Sequence, residues 1–342
     1  MTTLDLTPTT QPTALEHAGQ VANGFAARAA FSDYRARKAD NTLRRQDADL
    51  ALFAEYLADA QIPGAPGAAA LAQDPAAWRG VTWGLVAGWA RWQLTRGYAV
   101  ASVNVRLSTV RTYAKLAAKA GALDAHELAL IRTVEGYSRT EAKRVDEKRA
   151  QTRIGLKKAD PVLLTPDQAR QLKRQPNTPQ GRRDAVLMAL LLDHGLRASE
   201  LAGLKVTDID LAAGTMTFYR QKVDKTQSHK LTRDALAALR RYFDAGDAPA
   251  VGPLLRASAG SGRLTHAGMS TRNLSERVRT LGADVGAAGL SAHDCRHYWA
   301  TRAARNGSAL DRLQDAGGWS SYAMPLRYVE AAAIANEGVN VE

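Results

Sequence analysis

The chain has 342 residues, enough for about two domains with a sizeable buried core. It carries 46 lysine and arginine residues against 34 acidic residues, and this net charge of +12 favours a polyanionic partner, with nucleic acid as the first candidate. Its single cysteine, Cys295, excludes a disulfide framework and a zinc site built on cysteine pairs. The longest apolar run, Ala185 to Leu192, is too short to cross a bilayer, and the first 27 residues lack the features of a secretory signal. We therefore expect a cytoplasmic protein without a membrane partner.

The N-terminal part predicts a tail followed by a helical domain. Residues 1–30 begin with a stretch rich in Thr and Pro and without periodicity, which predicts a mobile tail. Apolar residues then recur at helical spacing over residues 41–57, 82–94 and 101–120. We predict a helical domain over residues 31–138.

Two segments of this region are strongly basic. The predicted helix 101–120 has basic residues and no acid, which suits either a DNA groove or a solvated face. Residues 139–162 have low apolarity and an excess of basic residues, so they predict either a linker able to lie along a phosphate backbone or an ordinary solvated hinge. The candidate DNA-binding residues of the two segments are Arg106, Thr109, Arg111, Lys115, Arg144, Lys148 and Arg149.

After Pro161 the pattern changes. Thr165 and Pro166 are typical of a helix N-terminus, and an apolar helix over residues 184–194 is closed by Gly195. Residues 215–219 and 228–232 predict two strands joined by a polar turn, and everything later reads as helical. These patterns predict a mixed domain with a small antiparallel sheet over residues 163–330, followed by a short C-terminal segment, residues 331–342.

Four sites in this second domain hold side chains suited to one phosphate. A guanidinium forks onto two oxygens, and an imidazole donates or accepts a proton near neutral pH. The sites are Arg197 after the Gly195 helix stop, Lys222 and Lys225 in or near the strand turn, the segment His293 to His297, and the segment Gly317 to Tyr328. His293, Arg296 and His297 share one face if their segment is helical, although a structural histidine beside a surface arginine has the same pattern.

Taken together, these motifs resemble a known family. Four motifs occur in the order and spacing of the tyrosine recombinases, or phage integrases, which include Cre- and Xer-like site-specific recombinases. They are GLRASEL, a basic turn, HDCRHYWAT, and GGW with a tyrosine nine residues beyond its tryptophan. The resemblance covers residues 164–334 in detail, whereas residues 40–137 resemble the family's core-binding domain only in length and helical pattern. It implies a mainly α, two-domain DNA clamp whose catalytic domain is mixed α+β with a small antiparallel sheet.

The resemblance also implies roles for individual residues. Arg197 and Arg296 match the two arginines that hold the scissile phosphate, His293 the first histidine of the H-x-x-R motif, and Tyr328 the nucleophile. Trp319 stands where many members have a second histidine, Glu200 matches an acid that helps orient the site, and His297 is a supporting residue. Lys222 is favoured over Lys225 as the general acid because of its spacing from Arg197, although Lys225 is expected nearer the centre of the turn. His293 is the main candidate to accept the tyrosine proton.

The implied activity is site-specific breakage and rejoining of double-stranded DNA through a 3′-phosphotyrosyl bond and a Holliday junction. No metal, ATP or other cofactor is expected. The resemblance implies a homotetramer on two specific DNA sites, associated with the nucleoid, with residues 331–342 docked on a neighbouring protomer or covering their own domain. Two alternatives stay open: a catalytically silent DNA-binding regulator, and a topoisomerase-like enzyme that relaxes supercoils.

Overall fold

The chain forms two compact units, residues Met1–Ala159 and Asp160–Glu342. The computed structural model describes residues 13–150, 160–259 and 261–332. Within these ranges both units are mostly helical, as predicted, and the strands form two small antiparallel sheets in the second unit.

The described part of the first unit is helical. Its helices are α1 (Ala14–Ala36), α2 (Asp40–Asp59), α3 (Ala68–Gln73), α4 (Trp83–Thr95), α5 (Val100–Lys119), α6 (Ala125–Thr133) and α7 (Arg139–Glu147), with a 3₁₀ turn at Pro75–Trp78. The core is aromatic: Phe53 meets Trp89 edge-on with ring centroids 5.1 Å apart, and Trp78 stacks on Tyr113 at 6.3 Å. These buried rings hold α2, α4 and α5 around one core.

The prediction of a mobile tail over residues 1–30 is wrong from residue 14 onward. Helix α1 begins after Thr13, whose side chain accepts from the Glu16 N–H while the Glu16 carboxylate accepts from the Thr13 N–H. This capping box is visible in the sequence as T-x-x-E, and it outweighs the missing periodicity of an Ala-rich stretch. The remainder of the predicted tail, residues 1–12, lies outside the described residues.

The predicted linker, residues 139–162, opens with helix α7, which Ser138 caps. After the helix, the Arg149 guanidinium donates to the carbonyl oxygens of Leu94 (2.9 Å) and Tyr98 (3.0 Å) in the same unit. The start of the segment is therefore part of the helical unit, and residues 151–159 lie outside the described residues.

The second unit is built around one buried helix. Its helices are α8 (Pro166–Lys173), α9 (Pro179–His194), α10 (Ala198–Gly203), α11 (Arg233–Asp244), α12 (Thr271–Asp284), α13 (Ala292–Arg305), α14 (Leu310–Gly317) and α15 (Ala323–Ala332), with a 3₁₀ turn at Val206–Asp208. Helix α9 packs against α8, α11 and α13, and nearly all its residues from Arg183 to His194 are buried. Cys295 is buried in this core.

The strands are β1 (Ile209–Asp210), β2 (Thr215–Arg220), β3 (Lys225–Lys230), β4 (Arg256–Ser258) and β5 (Leu264–Gly268). Strand β3 starts earlier than predicted because Arg220 pairs with Lys225, which leaves residues 221–224 as the turn. The prediction that only helices follow residue 232 is wrong, since β4 and β5 form a hairpin. These strands are too short for a recognisable alternation of apolar and polar residues.

Candidate active site

The end of helix α9 positions the first arginine of the site. Gly195 takes the left-handed conformation (φ 61°), and a Cβ there would overlap the Trp299 ring, so glycine is required on both counts. The chain then turns into α10, where Arg197 is the residue that precedes the first turn. Its guanidinium donates to Glu200 Oε1 (2.6 Å) and to the Gly318 carbonyl oxygen (3.2 Å), and 23% of the side chain remains exposed.

The second arginine, Arg296, is on α13 and is only 2% exposed. Its guanidinium donates to the Gly195 carbonyl oxygen (2.6 Å) and to the Gly317 carbonyl oxygen. It lies over the Trp319 ring, with the guanidinium carbon 4.5 Å from the ring centroid. Burial, together with repulsion from Arg197 and Arg220, lowers the pKa of Arg296 to about 10. The two arginines predicted for one phosphate therefore bind consecutive carbonyl groups at the end of α14.

A third arginine, Arg220, belongs to this cluster and was not predicted. It is the last residue of β2, is fully buried, and donates to both carboxylate oxygens of Glu200 at 3.0 Å. The signal was present in the sequence: Arg220 is in phase with Met216 and Phe218, the buried positions of the strand. A charged residue on the core face of a strand calls for a buried partner, and here that partner is the predicted supporting acid Glu200.

Tyr328 lies beside this cluster on α15. It is 3% exposed, and its hydroxyl is buried without a hydrogen-bond partner in the described part of the chain. Its ring centroid is 5.5 Å from Trp319 and 5.1 Å from His297. Burial raises the pKa of Tyr328, and the positive charges of Arg296, Arg327 and Arg197 oppose that rise.

Two imidazoles accompany the tyrosine. The rings of His293 and His297 meet at right angles with centroids 4.6 Å apart, as the shared helix face predicts. His293 is exposed, and loss of solvent around part of the ring, with the nearby His297 and Arg296 charges, lowers its pKa. The assignment of His293 as proton acceptor stays a prediction, and the contact of His297 with Tyr328 makes His297 a second candidate.

Trp319 packs against a second tryptophan. It stacks on Trp299 with centroids 6.0 Å apart, and a Cβ on Gly317 would overlap its ring. Trp299 is a further residue that the sequence did not single out, and it links Trp319 to the Gly195 turn.

The two candidate lysines occupy different positions. Lys222 lies exposed in the turn 221–224, and no ion pair or hydrogen bond of its side chain is found within the described residues. Lys225 is the first residue of β3 and pairs with Asp315 at 2.7 Å. The expectation that Lys225 is nearer the centre of the turn is therefore wrong, since Lys222 is the one that lies within the turn.

Three of the predicted DNA-binding residues make contacts within the helical unit. Thr109 is 1% exposed and donates to Asp49 Oδ2 at 2.7 Å, which contradicts a role in reading bases. The Arg106 guanidinium stacks over the Tyr98 ring at 4.2 Å and donates to Gln93 Oε1. Arg149, just after α7, binds the end of α4 and the α4–α5 loop. All three side chains stabilise the fold in these positions.

Each of the other predicted DNA-binding residues is either exposed or has guanidinium nitrogens without a hydrogen-bond partner among the described residues. Lys115, Arg144 and Lys148 are exposed. Arg111 is half-buried, and its Nε and Nη2 atoms lack hydrogen-bond partners among the described residues. Their role in DNA binding stays a prediction.

Neither a cluster of metal ligands nor a membrane-spanning helix occurs among the described residues. The described residues contain no group of three or more His, Cys, Asp or Glu side chains that could hold a metal ion. None of the helices that the structure describes is long and apolar enough to span a membrane.

Comparisons with known proteins agree with this geometry. Residues 163–333 match the phage integrase family. The chain is 29% identical over 185 residues to the tyrosine recombinase XerD of Neisseria meningitidis serogroup B, covering 52% of this chain and 62% of that protein. It is 31% identical over 175 residues to the tyrosine recombinase XerC of Pelobacter propionicus, covering 50% and 56%. The matches thus span less than two thirds of the length of these relatives.

A solved structure extends the likeness over both units. A lambda integrase dimer bound to a COC′ core site has a TM-score of 0.61 at 15% identity and covers 91% of this chain and 96% of that chain, which indicates a shared fold. The family match spans half of the chain and contains Arg197, Arg296 and Tyr328. The chain belongs to the phage integrase family.

Proposed function

We propose that this protein is a site-specific DNA recombinase that breaks and rejoins strands through a 3′-phosphotyrosyl bond to Tyr328. The observation that carries the proposal is the convergence of two guanidinium groups and one tyrosine. Arg197 and Arg296 bind the consecutive carbonyls of Gly318 and Gly317, and the Tyr328 ring packs on Trp319, over which Arg296 lies. Two fixed cations beside a nucleophile suit a phosphodiester under attack.

The charge balance of the cluster favours an anionic ligand. Among the described residues, Arg197 and Arg220 share one carboxylate, that of Glu200, and their positive charges also act on the nearby Arg296. Attack on a phosphodiester builds negative charge on its non-bridging oxygens, and preorganised donors stabilise that charge, each contributing about 2.7–4 kcal/mol to lowering the barrier at comparable sites. Arg197, which is partly exposed, is the guanidinium most accessible to the phosphate.

The proposed step is an in-line exchange of esters. The Tyr328 hydroxyl oxygen bonds to phosphorus, its proton passes to an imidazole, and the bond from phosphorus to the 5′-oxygen breaks. Lys222 donates the proton that the departing 5′-oxygen needs. One phosphodiester is exchanged for another, so resealing by the reverse reaction needs no ATP. Because the hydroxyl is buried in this structure, α15 must shift to present it to DNA.

Further parts of the proposal concern the assembly. We propose that four copies act on two DNA sites and pass through a Holliday junction, so that the protein is associated with the nucleoid while it acts. The lambda integrase structure named above is a dimer bound to a COC′ core site, and this supports the proposal that the partner is a specific site on double-stranded DNA. The segment 331–342, proposed to dock on a neighbour, lies outside the described residues except for the backbone of 331–332, which ends α15.

Trapping the covalent bond tests the activity. The full chain is incubated with a library of randomised duplexes that each carry a nick, so that the short fragment bearing the new 5′-hydroxyl diffuses away after cleavage. Protein-linked DNA is then recovered under denaturing conditions. The matched variants are Tyr328→Phe and Tyr322→Phe, since Tyr322 is an exposed tyrosine just beyond Trp319. We expect adducts with the wild type and Tyr322→Phe and none with Tyr328→Phe.

Other outcomes separate the alternatives. An adduct with Tyr328→Phe assigns the nucleophile elsewhere. Sequence-specific DNA binding without any adduct in the wild type refutes the enzyme and favours a silent regulator. Relaxation of supercoiled plasmids that lack the recovered sequence favours a topoisomerase-like enzyme.

A further inference from the structure

Arg220 is a fully buried charge whose hydrogen bonds all go to groups around the site. Besides Glu200, its guanidinium donates to the carbonyl oxygens of Ala316 (2.7 Å) and Gly317 (3.3 Å) and to the side-chain oxygen of Gln227. Burial lowers the pKa of Arg220, and the Glu200 charge counters that shift. Burying an arginine is costly unless each donor is satisfied, so its position calls for a reason.

The first link runs through Glu200. Oε1 of this carboxylate accepts from the guanidinium groups of Arg220 and Arg197, and Oε2 accepts from the Arg220 guanidinium and the Arg197 backbone N–H. Because Arg220 shares both carboxylate oxygens, Glu200 cannot turn fully onto Arg197 as a bidentate partner. The Arg197 charge therefore stays available for a phosphate.

The second link runs through the end of α14. The Gly317 carbonyl accepts from both Arg220 and Arg296, and the next carbonyl, that of Gly318, accepts from Arg197. Carbonyl groups at a helix C-terminus lack partners within the helix, so cations bind there favourably. Gly318 has a positive φ of 58°, and a Cβ on it would lie 2.5 Å from Cδ of Arg220, so the chain is shaped to admit this side chain.

The third link reaches the turn that carries Lys222. Gln227, which accepts from Arg220, donates its amide to the Asp315 carbonyl at 2.7 Å. Arg220 itself immediately precedes the turn 221–224. The β2–β3 hairpin is thereby fixed to the same helix end that holds Arg197 and Arg296.

We infer that Arg220 is a positioning residue of the cleavage reaction: through Glu200, the end of α14 and Gln227 it sets the relative placement of Arg197, Arg296 and the Lys222 turn. This inference rests on the function proposed above. Arg220 is too buried to touch DNA, so it should affect the rate of cleavage and leave DNA affinity alone.

The test compares Arg220→Lys with Arg220→Met, with Arg279→Lys as the matched control because Arg279 is an exposed arginine on α12. Lysine keeps the positive charge but lacks the planar guanidinium with its several N–H donors, so it cannot bind Glu200 and the end of α14 at the same time. On a duplex recovered by the trapping experiment, three quantities are measured: the single-turnover rate of adduct formation, the DNA dissociation constant and the melting temperature. A displacement of about 1 Å at a catalytic group can cost about 100-fold in rate. We expect Arg220→Lys to slow adduct formation by about that factor, with the dissociation constant within about threefold of wild type and Arg279→Lys unchanged.

A double variant distinguishes positioning from general loss of stability. If Arg220 acts through Glu200, Arg220→Met combined with Glu200→Gln should slow the reaction by less than the product of the single effects. If the Arg220 variants do not fold, Gln227→Met decides, since it removes one acceptor and keeps the buried charge; we expect a loss of about tenfold on the same physical grounds.

The outcomes are separable. An Arg220→Lys rate equal to wild type, or a lower rate fully explained by weaker DNA binding, overturns the inference and leaves the proposed function standing. An unchanged rate in Gln227→Met has the same meaning where the Arg220 variants are unfolded. Absence of any adduct in the wild type removes the proposed function and the inference together.

Discussion

The buried histidine pair of the second unit makes the stability of this protein sensitive to mild acid. His194, at the end of α9, is 4% exposed, and its ring centroid is 5.8 Å from that of His229 on β3. Its Nε2 accepts a long hydrogen bond from the Thr232 N–H, whereas Nε2 of His229 is buried without a partner among the described residues. Burial lowers the pKa of each imidazole from 6.5 to about 4, so both rings are neutral at pH 7.

The sign and size of the effect follow from these values. Below pH 6.5 the unfolded chain binds a proton at His194, while the folded chain does so only near pH 4. The stabilisation is therefore complete above pH 6.5 and is lost as the pH falls towards 4. Between pH 7 and pH 5, linkage gives a loss of about 2 kcal/mol in the free energy of unfolding from His194 alone. His229 acts in the same direction.

Urea unfolding of the full chain at pH 7 and pH 5 measures this loss. The variants are His194→Gln, which keeps an acceptor for Thr232, and His266→Gln, an exposed histidine on β5 that serves as control. Between pH 7 and pH 5, the free energy of unfolding should fall by about 2 kcal/mol more in the wild type and in His266→Gln than in His194→Gln. The helical unit is the same in all three proteins, so its contribution cancels when their losses of unfolding free energy between pH 7 and pH 5 are compared. Equal losses in wild type and His194→Gln, within about 0.5 kcal/mol, would refute the reasoning.

Three further predictions concern the site and the DNA surface. Gly195→Ala should destabilise the protein by about 1–3 kcal/mol, because residue 195 has a positive φ and the added Cβ would overlap the Trp299 ring. Gly203→Ala on α10 should be near neutral, because an added Cβ there meets no other atom. Thermal melting of the two variants checks this prediction. Lys222→Ala should slow adduct formation by about 10²–10⁴-fold. A substrate with sulfur in place of the bridging 5′-oxygen should restore the rate, because a thiolate leaves without needing a proton. If the rate is not restored, or if Lys225→Ala causes the larger loss, the general acid is another residue. Neutralising Lys143, Arg144 and Lys148 should weaken DNA binding and flatten the dependence of log affinity on log salt concentration. Arg149→Gln should lower the melting temperature and leave that slope unchanged, because Arg149 binds carbonyl groups of its own unit. Binding titrations at several salt concentrations measure the slope.

The sequence by itself determined the features that depend on near neighbours in the chain. Thr165 caps α8 with Pro166 in its first turn, and Gly195 closes α9, because capping uses groups a few residues apart. His293, Arg296 and His297 lie on one helix, as their spacing predicts. A signal of the same local kind marks the start of α1, where Thr13 and Glu16 form a capping box.

Tertiary structure alone decided which of these side chains meet and which are buried. Arg296 binds a carbonyl 101 residues away and Arg220 one 96 residues away, and no periodicity along a single element specifies such partners. Arg106 and Thr109 share a face of α5 that packs on Tyr98 and Asp49, so two residues expected at DNA make their contacts within the helical unit. Spacing along the chain fixes the direction of a side chain relative to its own helix or strand, whereas packing against distant elements determines whether that direction leads to solvent, to the core or to the phosphate site.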